Sequence, residues 1–222
     1  EFRRVLFRSR KSLAVILLRA STKFLKPKAM PTAEAIEEYF KLPPISGDIN
    51  GNYQFYHTPY LLGVAAALDD PEVHEVDLMK ASQIGWTYFL IAYLFKRIME
   101  ASTGRQLPIM MLFAKEKDGK SFHDEKLTPS GEYNDWMSEY IDMTTTRKSG
   151  NSWWFKNFIN GFSKLVGSNS PGNVKSTSSV GLGIVEEPDD TCDDVKSQGD
   201  AISSLEERLK RYDGSMVIVG GT

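Results

Sequence analysis

Apolar residues fall along this chain in short unbroken blocks separated by polar turns. Residues 73–79 predict a strand with Val76 and Leu78 on one face. Residues 88–99 predict a helix that is apolar almost all round (Phe89, Leu90, Ile91, Ala92, Leu94, Phe95, Ile98), hence one buried against a sheet. Gly104 and Pro108 close that unit, and Ile109-Met110-Met111-Leu112-Phe113 reads as a continuous apolar strand. Residues 180–185 and 216–219 read as two more strands. Between them, residues 201–212 form an amphipathic helix pattern with Ile202, Leu205 and Leu209 on one face and Arg208, Lys210 and Arg211 near the C-terminal end. Unbroken apolar strands alternating with helices argue for an α/β fold whose sheet is mostly parallel and covered on both faces.

Weaker patterns fill the intervals. Residues 32–40 predict a short helix capped by Thr32, with Glu34, Glu37 and Glu38 near its start and Pro43-Pro44 ending it. Residues 46–52, with Gly47 and Gly51, read as a loop. An aromatic segment (Tyr53, Phe55, Tyr56, Tyr60) leads into a helix running to Leu68, with Thr58 as its cap and Pro59 in its first turn. Residues 115–124 are polar and basic, a solvated loop and helix start. Residues 131–141 predict a helix with Trp136 and Tyr140 facing inward. Asn160-Gly161 between two strand-like runs, 152–158 and 162–166, is a hairpin signal.

Composition narrows the classes. Of 222 residues, 41% are hydrophobic and 25% charged, ordinary values for a soluble globular chain. The net charge of −2 gives no overall basic character, so any DNA contact needs a local patch. One cysteine, Cys192, excludes an internal disulfide, and with three scattered histidines no zinc spacing exists. No apolar run approaches the roughly 20 residues that span a bilayer. Residues 1–29 combine four arginines in the first ten positions with a short apolar run at 12–18, a weak match to a secretory signal. They read better as a non-native extension, because Leu6-Phe7-Arg8-Ser9 matches a translated sequencing-adapter tail and Met30-Pro31-Thr32 looks like a start. The same segment in the product of the intact gene would overturn that hypothesis. Residues 30–52 then form an N-terminal helix and linker, and 53–222 one domain. Its last strand, ending in Gly220-Gly221-Thr222, reads as a truncation point.

The chemistry concentrates in two places. Lys80-Ala81-Ser82-Gln83-Ile84-Gly85-Trp86-Thr87 lies between a strand and a helix, the geometry that presents backbone N–H groups to an anion. Set against the phosphate-binding pattern G-x-x-x-x-G-K-[ST], the second glycine and the hydroxyl are in place. Lys80 stands at the first glycine and Trp86 at the lysine. The second place is Glu186-Glu187, two carboxylates at the end of a buried strand, where α/β sheets place ligands. Such a pair needs a cation. Mg²⁺ on a triphosphate fits, with Glu186 on the metal and Glu187 orienting and deprotonating the attacking water. An acidic loop is the plain alternative, since Asp189, Asp190, Asp193 and Asp194 follow. Tyr56 or Tyr60 could stack on an adenine, or serve only as core aromatics.

In order and spacing, Tyr56-His57-Thr58-Pro59-Tyr60, the Lys80–Thr87 loop, Val166-Gly167-Ser168-Asn169-Ser170-Pro171, Glu186-Glu187 and Gly220-Gly221-Thr222 resemble the ATPase domain of the large terminase subunit of tailed double-stranded DNA phages, lambda-type gpA family. The resemblance covers about residues 53–222. It implies a three-layer P-loop NTPase of the RecA/ASCE kind with an inserted hairpin. It implies an ATP- and Mg²⁺-dependent motor that packages double-stranded DNA into procapsids in the host cytoplasm. Its partners would be the small terminase subunit, the portal and further copies of itself in a ring. Lys80 would be the early lysine of a deviant Walker A, Thr87 and Glu186 the metal ligands, Glu187 the catalytic glutamate, Gly220-Gly221-Thr222 the coupling motif, and Tyr60 or Tyr56 the adenine platform. Glu186 departs from the family's aspartate, Lys175 from a frequent arginine, and Leu61 from a frequent glutamine. A neighbouring subunit's basic residue would act at the γ-phosphate, with Arg147, Lys148 and Arg211 as candidates. The nuclease activity of the family would lie beyond Thr222. A related helicase-like motor, or a degenerate P-loop domain that only binds DNA or protein, are the alternatives.

Overall fold

The computed structural model describes residues 30–44, 49–146, 149–191 and 200–222. The expectations for residues 1–29, for Arg147 and Lys148, and for Cys192, Asp193 and Asp194 lie outside these residues.

A six-stranded sheet forms the centre, in the order β3-β8-β7-β4-β6-β5. Its strands are β3 (Glu75–Met79), β4 (Leu107–Phe113), β5 (Phe155–Phe158), β6 (Gly161–Gly167), β7 (Leu182–Glu186) and β8 (Met216–Gly221). Five of them pair in parallel; only the β5–β6 hairpin is antiparallel. Two short strands, β1 (Lys41–Leu42) and β2 (Gly51–Asn52), form a separate ribbon. The helices are α1 (Thr32–Tyr39), α2 (Leu61–Asp69), α3 (Trp86–Ala101), α4 (Glu116–Phe122), α5 (Thr128–Tyr133), α6 (Pro171–Lys175) and α7 (Ala201–Leu209).

Burial explains the layering. Every residue of β4 is buried, and alternate side chains serve opposite faces. Ile109, Met111 and Phe113 join the larger core with α3, α1 and α2, whereas Met110 and Leu112 join Val174, Leu205 and Leu209 on the other face. The predicted all-apolar helix is thus the inner wall of one layer. Its one buried charge, Lys96, meets Glu100 at 2.9 Å and Asp69 at 3.5 Å. Asp69 also accepts the Thr32 N–H and hydroxyl, both at 2.6 Å, tying α1 to α2. Thr32 is therefore not a cap; it is buried, and an acid from another helix satisfies its amide.

Three further expectations change. Thr58 does not cap α2, which starts at Leu61; its hydroxyl instead lies 2.8 Å from the Tyr53 hydroxyl. Pro108 lies inside β4 rather than closing the unit. The helix expected over 131–141 breaks at Asn134 (φ −102°, ψ 74°), whose side chain accepts from Lys41 N and donates to Lys41 O and Ser130 O. A 3₁₀ turn, Asp135–Glu139, follows, and Met137 points fully inward while Trp136 and Tyr140 pack at the core margin. The hairpin forms as expected, but Asn160 carries the positive φ (58°). Gly161 is needed for room: a Cβ there would lie 2.4 Å from the Leu107 carbonyl.

Candidate functional site

The C-terminal ends of β3, β7 and β8 open onto a cleft of about 890 Å³. The sheet order sets its chemistry, because β8 separates the strand carrying Lys80 from the strand carrying Glu186. Lys80 extends the ladder, its N–H donating to Gly221 O at 2.8 Å, so its backbone is fixed beside the end of β8. Strand alternation then sends Met79 to solvent, 90% exposed, and Lys80 into the cleft.

The loop that follows is held by two left-handed residues, Gln83 (φ 60°) and Gly85 (φ 80°). Gly85 opens α3, which has no side-chain cap. The first N–H groups of the helix, at Trp86, Thr87 and Tyr88, therefore lack intrahelical partners and lie at the cleft wall. The Tyr60 hydroxyl donates to Ile84 O at 2.8 Å, fastening the loop to the segment before α2.

The charged groups converge as a compact network. Lys80 Nζ donates to Glu187 Oε1 at 2.6 Å. Thr222 holds the other oxygen of Glu187 twice, by its hydroxyl at 2.8 Å and its N–H at 3.1 Å. Partial burial pushes the Glu187 carboxyl up, but Lys80 and Thr222 outweigh it and hold the group below its usual range. Glu187 itself has a left-handed backbone, φ 52°, the kind of strain that collects at functional sites. Its N–H donates to Gly220 O at 2.9 Å.

Glu186 behaves oppositely. Burial pushes its pKa up to about 7, against the Trp86 indole and Lys80, which favour its ionised form. The indole Nε1–H donates to Glu186 Oε1 at 2.8 Å. Trp86 is buried and stacked on Phe89, with ring centroids 5.7 Å apart. The side chain at the usual lysine position of the loop is thus turned into the core as a clamp on a carboxylate; only its backbone remains at the loop.

The structure brings together Lys80, Ala81, Ser82, Gln83, Ile84, Gly85, Trp86, Thr87, Tyr60, Glu186, Glu187 and Thr222 around one cleft. Tyr56 is not among them; it is 86% exposed and packs edge-on to His57. Gly220 and Gly221 lie behind the wall, where Gly220 makes room for Trp86. Arg211 is exposed and does not line the cleft. Sequence reasoning passed over Gln54, His57 and Lys126, which do line it. Gln54 sits between buried Tyr53 and Phe55, an alternation that could have marked it as facing outward. Lys126 comes from a distant polar stretch with no such signal.

A profile of the phage terminase large subunit gpA ATPase domain matches residues 47–222. The chain belongs to this ATPase-domain family. A comparison with curated proteins gave no match. Among solved structures, the large terminase of bacteriophage HK97 superposes with a TM-score of 0.67 at 15% identity, over 86% of this chain and 37% of that one. The chain thus spans 37% of that terminase's length, and the likeness shows a shared fold. The ATPase domain of the Thermus phage P74-26 large terminase (TM-score 0.49, 11% identity, 75% of this chain, 67% of that one) is also similar. So is a large terminase from another thermophilic bacteriophage, solved in complex with ADP (0.47, 10%, 81% and 39%). Among the described residues no helix is long and apolar enough to cross a membrane.

Proposed function

We propose that the cleft binds and hydrolyses ATP and that hydrolysis drives double-stranded DNA into a phage procapsid. The observation that carries this reading is the convergence of Lys80, Glu187 and Thr222 beside an uncapped helix N-terminus. A helix N-terminus with a positively charged side chain at its loop is a phosphate site. Lys80 would contact the phosphates from the strand side while the loop and first-turn N–H groups hold them from the helix side.

Phosphoryl transfer is mostly positioning and charge stabilisation. An incoming triphosphate competes with Glu187 for the Lys80 ammonium. As Lys80 turns to phosphate, Glu187 keeps its Thr222 bonds and gains a free oxygen to orient and deprotonate water. With Lys80 turned away the carboxyl moves up and becomes the stronger base, while the Thr222 bonds still favour its ionised form.

The donor set fits Mg²⁺. Thr87 and Glu186 supply hard oxygen atoms on the same cleft. Among the described residues no cluster of three or more His, Cys, Asp or Glu could hold a metal by itself. Mg²⁺ commonly takes one or two carboxylates plus substrate phosphates rather than a full protein cage. Burial makes ionised Glu186 costly, and a cation beside it offsets that cost. When bound, Mg²⁺ would neutralise charge on the phosphate oxygens. Trp86 would keep Glu186 aimed at it.

Tyr60, 53% exposed at the cleft, offers an aromatic face to an adenine. Packaging would also involve the small terminase subunit, the portal, and other copies of the chain in a ring, each supplying a basic residue to its neighbour's γ-phosphate. The test is ATP hydrolysis with and without double-stranded DNA for the parent, Lys80→Ala and Glu187→Gln. Losses of about 10²-fold or more are expected for both variants. Parent-like hydrolysis in both would reject the assignment. ATP binding without hydrolysis by the parent would favour a degenerate binding domain.

A further inference from the structure

Lys126 reaches the cleft from a segment that the loop and the acidic pair do not account for. It lies in a π-helical turn, His123–Leu127, between α4 and α5. Such turns are rare and recur at functional sites. This one is anchored firmly. Phe122 just before it and Leu127 at its end are buried. His123, 3% exposed, lies 2.7 Å from Asp124 Oδ1 through Nδ1 and 3.2 Å from the Thr128 hydroxyl through Nε2.

The ammonium of Lys126 sits 5.5 Å from the centroid of the Tyr88 ring, within cation–π range. Tyr88 follows Thr87 in the first turn of α3, and both line the cleft. No carboxylate of the described residues pairs with Lys126, whereas Lys80 in the same cleft is bound to Glu187. A lysine held over a ring at a helix N-terminus, with no carboxylate of the described residues within ion-pair distance, is a cation set out for an anion.

Its place on the wall selects which part of the ligand. Lys80, Glu187 and Thr222 occupy the hydrolytic end, at the tips of β3, β7 and β8. Lys126 belongs instead to the helical segment that follows β4. That segment is joined through Asn134 to the backbone of Lys41 in β1, and the next residue, Leu42, lines the cleft with Tyr53 and Gln54. With the hydrolytic groups at the strand tips, that wall would take the nucleoside side of the proposed site.

We propose that Lys126, seated on Tyr88, is a second nucleotide-anchoring cation that contacts the portion shared by ATP and ADP, at the α-phosphate end. This rests on the reading of the cleft as a nucleotide site. Lys126 then retains the diphosphate after the γ-phosphate has left, and Lys80 serves the bond being broken.

The test measures binding of a fluorescent ADP and of ATP, and hydrolysis, for the parent, Lys126→Met and Lys126→Arg. Methionine keeps the apolar stem and removes the charge. About a tenfold weaker affinity for ADP and ATP alike is expected in Lys126→Met, with kcat at saturation within about twofold of the parent and affinity largely regained in Lys126→Arg. Unchanged ADP affinity in Lys126→Met overturns this proposal alone. So does a loss confined to ATP or to kcat, which would place Lys126 at the γ-phosphate. Absence of ADP binding by the parent removes the nucleotide site itself and the proposal with it.

Discussion

The Lys80 ammonium lies 2.6 Å from a carboxylate oxygen of Glu187, its side chain 6% exposed and that of Glu187 37%. The two residues are 107 apart in sequence and meet because β8 pairs with both of their strands. Lys80→Ala should therefore act through Glu187 as well as through phosphate. Without the ammonium the carboxyl pKa rises, so the acid limb of the kcat/KM profile should move to higher pH in any residual activity. A pH–rate profile of parent and variant checks this; an unmoved acid limb would separate Glu187 from the rate. The effect on stability should be small, within about 1 kcal/mol, because Glu187 is partly solvated. Its sign follows from the depressed pKa: the contribution is present above the unfolded carboxylate pKa and lost as pH falls through the folded value.

Glu186 should give the opposite pH dependence. Its folded pKa is raised to about 7 from 4.5. Between those values the folded state holds a proton that the unfolded state has released, so stability falls as pH rises through the window. At 1.36 kcal/mol per pKa unit the full effect is at most about 3 kcal/mol. Glu186→Gln should flatten the slope and be more stable than the parent at pH 8, while losing hydrolysis. Urea denaturation at pH 5, 6, 7 and 8 measures it. A parent slope that the substitution leaves intact would assign the titration to another group.

Thr222→Val removes the hydroxyl bond to Glu187 and keeps the N–H bond. Hydrolysis should fall severalfold with KM little changed, since the residue positions the carboxylate and lies off the proposed phosphate path. Thr222→Ser should recover most of the rate. A parent-like rate in Thr222→Val with a loss in Thr222→Ser would show that the methyl group's packing matters and the hydroxyl does not.

Much of this site was legible because strand ends are easy to read. Unbroken apolar runs marked β4, β7 and β8, and polar residues directly after such runs must sit at the rim. Glu186 and Glu187 were placed at the rim that way and Lys80 by the loop pattern between strand and helix, and all three line the cleft. What the pattern could not supply was side-chain direction. Trp86 occupies a loop position that usually faces phosphate, yet its ring is large and apolar enough to be drawn under the sheet, where only Glu186 satisfies its N–H. Lys126 was invisible because its turn is anchored by His123, Asp124 and Thr128, contacts that leave no periodic signal. The break at Asn134 was missed for a similar reason: its amide bonds to a backbone 93 residues away. Tyr56 was named alongside Tyr60 because composition alone cannot separate an exposed ring from one in a cleft.

Gly220 offers the sharpest structural test of the Trp86 clamp. A Cβ at this position would fall 2.6 Å from Trp86 Nε1 and 2.9 Å from its Cε2. The indole cannot yield easily, because it is stacked on Phe89 and bonded to Glu186. Gly220→Ala should therefore push the ring, break its bond to Glu186, and destabilise by about 1–3 kcal/mol. Gly183→Ala in the adjacent strand is the control. Its Cβ meets only the side-chain ends of Leu205 and Leu209, at 3.3 Å and beyond, and these can shift. It should cost less and leave hydrolysis near the parent rate. Because the Gly220 clash is with the ring, Trp86→Phe should partly relieve it, so the double variant should lose less stability than the two single losses summed. Additive losses in that cycle would show that Gly220 and Trp86 act independently, and that the glycine serves the strand end for some other reason.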